Sequence, residues 1–147
     1  MKKLVQLTSL LLILLLTLTA MGCSSYGKLE KAFLDNGYEI ITELEDKAED
    51  IKAELEKEEL EVTVHGLTKK DGFKSDIVFI FEFKATDDLV QACKENNTLN
   101  GLVKDVQEDE DVQAFYDKLV EKGYAKGNCL VVSFNPLSDA STIVKNA

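Results

Sequence analysis

The feature that most constrains the fold is a pair of strand-like segments separated by a turn signal. Residues 59–67, ELEVTVHGL, alternate apolar and polar side chains, which predicts a half-buried strand. Residues 76–84, DIVFIFEFK, are apolar on both faces as far as Glu82. The Asp71-Gly72 pair between them is typical of a hairpin turn. The sequence therefore predicts an antiparallel hairpin whose second strand is central in a sheet.

Helical periodicity precedes this hairpin. Residues 28–36 and an apolar series spaced by three and four residues from Ile41 to Leu55 predict two helices, with a break at Gly37. Two alternatives remain open at this point. The YEII segment forms a short strand, or one long helix runs through Gly37 at a cost of about 1 kcal/mol relative to alanine.

Two further helices and a returning strand follow the hairpin. Thr86 is expected to cap a helix that the ENNTLNG segment ends, and residues 109–123 predict a second helix. Residues 128–134, NCLVVSF, predict a third core strand, and residues 138–145 predict a small closing helix. The predicted class is α+β: a small antiparallel or mixed sheet, made of the hairpin and the returning strand, with helices packed on one face. A cystatin-like or split-βαβ arrangement fits this pattern.

The N-terminal segment has the three-part build of a secretory signal. Lys2 and Lys3 precede an uncharged apolar stretch over residues 10–16, and small residues begin at Thr19. A permanent membrane span is the weaker interpretation, because polar side chains interrupt a stretch that needs about 20 predominantly apolar residues to cross a bilayer.

The leader ends in AMGC, formed by Ala20, Met21, Gly22 and Cys23. This segment resembles the lipobox of bacterial lipoproteins, in which diacylglycerol alkylates the cysteine thiol and cleavage then frees its amine. The resemblance departs from the family pattern at Ala20, where leucine is usual. It implies a lipid-anchored Cys23 on the extracytoplasmic face of a bacterial cell membrane. An ordinary cleaved signal, or a free Cys23 thiol, is the alternative.

The resemblance, together with the 125 residues that remain after the leader, predicts a division of the chain into three parts. Residues 1–22 form the cleaved signal peptide, residues 23–27 a short lipidated tether, and residues 28–147 one globular domain. Removal of the leader leaves 15 lysines against 27 acidic residues, a net charge of −12, and the chain contains no arginine. This balance argues against a nucleic-acid partner.

Two cysteines remain beyond the lipobox. Cys93 lies on the inner face of a predicted helix and Cys129 begins a predicted strand, so both are expected in the core. They are either two buried thiols or a disulfide, which persists in exported proteins. A metal site is not expected, because the chain has one histidine and no paired-cysteine motif.

Few residues suggest catalysis. His65, the sole histidine, is the only imidazole available as a general base, and its alternation places it on the exposed polar face. The acidic run from Glu108 to Asp111 lacks the ligand spacing of a calcium loop. Asp109 or Asp111 is instead expected to cap the following helix. No phosphate loop, nucleotide fingerprint or haem motif predicts a cofactor.

These features predict a lipid-anchored cell-envelope protein. A non-enzymatic module fits best, binding a protein or peptide through its acidic helical face or an exposed sheet edge. One alternative is a small-ligand receptor or hydrolase that uses clustered acids and His65. Another is an acidic inhibitor or immunity-type protein that neutralises a cationic toxin.

Overall fold

A computed structural model describes residues 24–71, 74–106 and 109–147. Within them the chain forms helices and an antiparallel four-stranded sheet, which confirms the α+β class. The elements in chain order are α1 (Ser25–Asp35), α2 (Thr42–Lys57), β1 (Val62–Asp71), β2 (Lys74–Phe83), α3 (Thr86–Glu95), α4 (Asn97–Leu102), α5 (Val112–Lys122), β3 (Ala125–Lys126), β4 (Cys129–Ser133) and α6 (Ala140–Asn146).

The sheet has the order β1-β2-β4-β3, and every neighbouring pair is antiparallel. β1 and β2 form the predicted hairpin, which pairs Val62 with Phe83 and Asp71 with Lys74. Gly72 of the predicted turn lies outside the described residues. β2 is central, as predicted. β2 and β3 run parallel, are joined through α3, α4 and α5, and have β4 between them, which is a split-βαβ arrangement.

The hydrophobic core is divided between the two faces of the sheet. α2, α3, α4 and α5 cover the face that carries Phe79 and Leu130. α1 and α6 cover the face that carries Ile80 and Val131. The structure thus corrects the prediction that the helices pack on one face. β2 and β4 present apolar side chains to both faces, so both faces require a cover that excludes water.

α1 begins earlier in the chain than predicted. The Ser24 Oγ caps it by accepting a hydrogen bond from the Gly27 N–H at 3.1 Å. Residues 25–27, predicted as tether, are therefore part of the helix. The globular fold begins directly after Cys23.

The break at Gly37 is confirmed, because α1 ends before it and Gly37 adopts a φ of +86°. The YEII segment does not form a strand; one of its residues, Glu39, forms an isolated bridge to Thr68 of β1. The two residues exchange backbone hydrogen bonds of 2.8 and 2.9 Å. α1 and α2 are therefore separate helices that lie on opposite faces of the sheet.

Two helix boundaries after the hairpin differ from the predictions. Thr86 is the first residue of α3, and its N-cap is Ala85, which makes no side-chain capping bond. The ENNTLNG segment ends α3 but also forms α4, because the Asn96 side chain accepts a hydrogen bond from the Leu99 N–H at 3.0 Å. The predicted helix over residues 109–123, the third core strand and the closing helix are confirmed as α5, β4 and α6.

Candidate functional site

His65 lies on β1, on the face of the sheet that α1 covers. Its ring stacks on Tyr26 with the ring centroids 3.6 Å apart, and its Nε2 lies 3.1 Å from Glu82 Oε2. Only 24% of its side chain is exposed. The prediction of an exposed histidine is therefore wrong. The alternation of β1 predicted that the His65 face contacts water. Because α1 begins early, at Ser25, Tyr26 covers this face instead.

The groups around His65 are poorly suited to nucleophilic chemistry. Burial, together with a hydrogen bond to the Glu30 carboxylate, raises the pKa of Tyr26 well above its ordinary value. Burial, with the neighbouring Glu82 carboxylate, raises the pKa of Cys129 to about 12. Both groups are protonated at neutral pH. The contacts of Tyr26, His65 and Glu82 join α1 to β1 and β2.

The two cysteines are buried free thiols. Cys93 belongs to the core under α2, α3 and α5, whereas Cys129 belongs to the core under α1 and α6. The prediction of two buried thiols is confirmed, and the alternative of a disulfide is not formed. Burial raises the pKa of Cys93 to about 12 as well.

The acidic run performs the capping role predicted for it. Asp111 is the N-cap of α5, and its Oδ1 accepts a hydrogen bond from the Ala114 N–H at 2.8 Å. Asp109 accepts from the Asp111 N–H at 3.1 Å and pairs with Lys118 at 3.1 Å, and these bonds lower its pKa. Glu108 lies outside the described residues. In the described part of the chain, no group of three or more His, Cys, Asp or Glu side chains is placed to hold a metal ion.

An acidic groove of about 750 Å³ lies where α2, β1, β2 and α3 meet at one end of the sheet. Its lining includes five carboxylates and one lysine, namely Glu58, Glu59, Glu61, Asp88, Glu95 and Lys84. Asn96 is buried beside it and donates a hydrogen bond to the Glu58 carboxylate. The groove is wide and polar, and its one buried amide already has protein partners.

The outer edge of β1 is open along half of its length. Residues of an antiparallel strand direct their N–H and C=O groups alternately to one neighbour and then the other. Thr68 directs its groups outward to Glu39, so Gly66, Val64 and Val62 also direct theirs outward, away from β2. Among the residues that the structure describes, none forms a hydrogen bond with these three outward-facing sets of backbone groups.

A cleft of about 300 Å³ runs along this open edge. Tyr26 of α1 lines one side, and Glu45, Ala48 and Glu49 of α2 line the other. Ile40 also lines the cleft and is 42% exposed, so it offers the cleft an apolar side chain. The cleft therefore joins unpaired backbone groups, an apolar side chain and two acidic side chains.

The sequence indicated an exposed sheet edge only in general terms. It did not identify β1 as that edge or Tyr26, Ile40, Glu45 and Glu49 as its surroundings. The bridge of Glu39 to Thr68 fixes where the open edge begins, and no local pattern in the sequence signals it. Ile41 packs partly buried against the core under α2, whereas Ile40 is exposed. The one clue in the sequence was that Ile40 falls outside the apolar period that begins at Ile41.

Cys23 and the other lipobox residues, Ala20, Met21 and Gly22, lie outside the described residues. Among the helices that are described, none has the length and apolar character required to span a membrane. Comparisons of the chain with protein-family models, with curated proteins and with solved structures give no significant match.

Proposed function

We propose that the chain is a lipid-anchored protein of the bacterial cell envelope that binds an extended segment of another protein at the open edge of β1. Two separate features support the two parts of this proposal. The resemblance of residues 20–23 to a lipobox supports the anchor. The unpaired backbone groups of Val62, Val64 and Gly66 support the binding function, and this is the observation that carries it.

An added strand would satisfy donors and acceptors that the fold leaves without protein partners. Proteins usually protect such an edge with a bulge, a proline, a charged side chain or a covering element. Among the described residues, β1 is paired on this side at Thr68 alone, where Glu39 bridges to it. In strand addition, main-chain hydrogen bonds supply affinity and pockets for alternate side chains supply specificity. The unpaired backbone groups of this edge and the cleft beside it support both roles.

The chemistry of the described residues favours binding over catalysis. The histidine is engaged by Tyr26 and Glu82, and both core thiols are protonated at neutral pH. Acid–base or nucleophilic catalysis requires a group that is poised to exchange a proton or attack. The proposal is therefore for a non-enzymatic module.

The anchor is tested by metabolic labelling with an alkyne-bearing fatty acid. The native chain is expected to take up the label, and the Cys23→Ser chain is expected to lose it. A variant that keeps Cys23 but carries Cys93→Ala and Cys129→Ala should retain the label, which would assign the labelled thiol to Cys23. Label in the Cys23→Ser chain, or none in the native chain, would contradict the anchor.

The binding edge is tested by photo-crosslinking in cells. A photoreactive residue at Thr63, exposed on β1, is compared with one at Gln113, exposed on α5. Thr63 is expected to crosslink to one short segment of one partner, as mapped by mass spectrometry, and Gln113 is not. Equal crosslinking from both positions, or none from Thr63, would overturn the proposed edge.

A further inference from the structure

We propose that the open edge of β1 selects an antiparallel strand with basic side chains at two alternate positions, which pair with Glu45 and Glu49. This inference rests on the strand-addition function proposed above. It names the chemical class of the ligand: an extended peptide of the pattern basic–apolar–basic. The argument comes from the course of α2 along the edge, from the spacing of its acids, and from the side-chain alternation of an added strand.

α2 runs antiparallel to β1 and lies directly over the edge strand. Near its start, Leu44 approaches Gly66 so closely that a Cβ on Gly66 would lie 3.0 Å from the Leu44 carbonyl oxygen. Beyond its end, the Leu60 N–H donates to the Leu55 carbonyl at 3.1 Å, where the chain turns back into β1. Ala48 and Val64 line the cleft between these points. Successive turns of α2 therefore pass along the open edge.

The acidic side chains on this side of α2 have the spacing of alternate strand residues. Glu45 and Glu49 both line the cleft and are four residues apart. Four residues rise roughly 6 Å along a helix, and two residues span roughly 7 Å along a strand. Two basic side chains on the same face of an added strand would thus each meet one carboxylate.

The two carboxylates are available for a partner. Glu45 and Glu49 are exposed, and neither forms an ion pair with another described residue. Two like charges one helical turn apart repel each other, so cations on an added strand would relieve this repulsion. The cleft is electrostatically complementary to a basic segment.

The alternation of an antiparallel pair fixes which peptide residues face α2. Val62, Val64 and Gly66 direct their backbone groups outward, and their side-chain positions face the core under α2. In an antiparallel ladder, directly paired residues share a face of the sheet. Peptide residues that hydrogen-bond to β1 would therefore project toward Glu45 and Glu49. The intervening side chains would project toward Tyr26 and His65, a stacked aromatic surface that suits apolar groups.

The existing bridge indicates the direction of the added strand. Glu39 already pairs with Thr68 in antiparallel fashion at the far end of the same edge. An added antiparallel strand would continue this pairing next to Gly66.

The test uses the full-length protein in a neutral detergent and a capped seven-residue peptide that alternates valine and lysine. Affinity is measured for this peptide and for the same peptide with glutamine in place of lysine. We expect the lysine peptide to bind roughly tenfold more tightly, because two surface ion pairs contribute together. Equal affinity of the two peptides would overturn the selection of basic side chains and leave strand addition standing.

Charge-removing variants identify the responsible carboxylates. The double variant Glu45→Gln/Glu49→Gln is compared with Asp46→Asn/Asp50→Asn, which removes two acids of the same spacing from the same helix but outside the cleft. The first is expected to weaken lysine-peptide binding roughly tenfold, and the second less than about twofold. Equal effects of the two variants would overturn the pairing with Glu45 and Glu49.

Methylated peptides separate this inference from the function on which it rests. In an antiparallel addition the lysine amides face β1, so their N-methylation is expected to abolish binding, whereas N-methylation of the valine amides is tolerated. The reverse preference would overturn the antiparallel register but not strand addition. Equal tolerance of both, or no binding of any peptide at about 1 mM, would overturn the proposed function itself.

Discussion

The two edges of the sheet are treated in opposite ways. At one edge β3 has only two residues, and side-chain hydrogen bonds fix the chain around it. The Tyr116 hydroxyl donates to the Gly127 carbonyl at 3.0 Å, and the Lys126 Nζ donates to the Ala147 carbonyl oxygen. At the other edge β1 has ten residues, and within the described ranges its outer side has one bridging partner, Glu39. The same domain therefore contains a blocked edge and an open one.

This difference shows that the open edge is not a general property of a small sheet. A short edge strand covered by helices and by the C-terminal residue is one of the usual protections against pairing with another chain. The segment from Val62 to Gly66 is covered on one face by α2, but no described residue pairs with its outward backbone groups. A partner strand would find one place on the sheet to add.

The largest effect on the open edge is expected from Gly66→Val. A Cβ there would lie 3.0 Å from the Leu44 carbonyl oxygen and 3.1 Å from a ring carbon of Phe79, so the added methyl groups would force α2 away from β1. We expect the free energy of unfolding, measured in urea, to fall by about 3 kcal/mol. Gly101→Ala is the control, because a Cβ on Gly101 meets nothing within 4 Å. Equal stability of the two variants would contradict the close contact of α2 with the edge strand.

The next largest effect is expected from Tyr38→Phe, which loosens the bridged end of β1. The Tyr38 hydroxyl donates to the buried Asp76 carboxylate at 2.5 Å and thereby holds the adjoining Glu39 on Thr68. Loss of this bond is expected to cost about 2 kcal/mol of unfolding free energy and to speed exchange of the Thr68 amide proton. Tyr124→Phe removes an exposed bond to Asp105 and should cost less than about 1 kcal/mol. Slow exchange at Thr68 in Tyr38→Phe would be inconsistent with this role.

A smaller effect is expected at the blocked edge from Tyr116→Phe. The variant leaves the Gly127 carbonyl without its side-chain donor and is expected to cost about 1 kcal/mol of unfolding free energy. Hydrogen exchange of the Lys126 and Cys129 amides should become faster, while the affinity of the lysine peptide stays unchanged. A loss of peptide affinity would show that the two edges are not independent.

The smallest effect on stability is expected from Thr63→Lys. Thr63 is exposed on β1, so the free energy of unfolding should change by less than about 0.5 kcal/mol. The added cation would lie on the face of the valine side chains, so it repels the peptide lysines only across the strand and should weaken lysine-peptide binding by less than about threefold. Gln113→Lys adds the same charge on α5 and should leave the affinity unchanged. An equal loss in both variants would indicate a general charge effect.

Local patterns predicted the parts of the fold that depend on neighbouring residues. The alternation over residues 59–67 and the two-sided apolar run after it established the hairpin and its central strand. The spacing from Ile41 to Leu55 established α2. These signals are strong because burial imposes a period on the sequence itself.

The remaining features depend on contacts between distant segments. The SSYG segment has no apolar period, so the start of α1 at Ser25 was missed, and with it the Tyr26 ring over His65. Val78 and Ile80 indicated that β2 is buried on both faces, but the helix that covers each face is set by topology. Likewise, β1 becomes an edge only because β4 pairs with the other side of β2. The candidate site is thus a product of long-range pairing.

The contact between Tyr26 and His65 fixes how far the open edge can lie from Cys23. Tyr26 follows Cys23 by three positions, a length of chain that spans at most about 11 Å. His65, within the open edge, stacks directly on the Tyr26 ring. If Cys23 carries lipid as proposed, the docking strand must come from a segment held within roughly 20 Å of the bilayer surface. The protein and its partner would then meet in a thin layer at the membrane. Confinement to this layer raises the effective concentration of a partner that is also anchored, but it does not raise that of a freely diffusing partner.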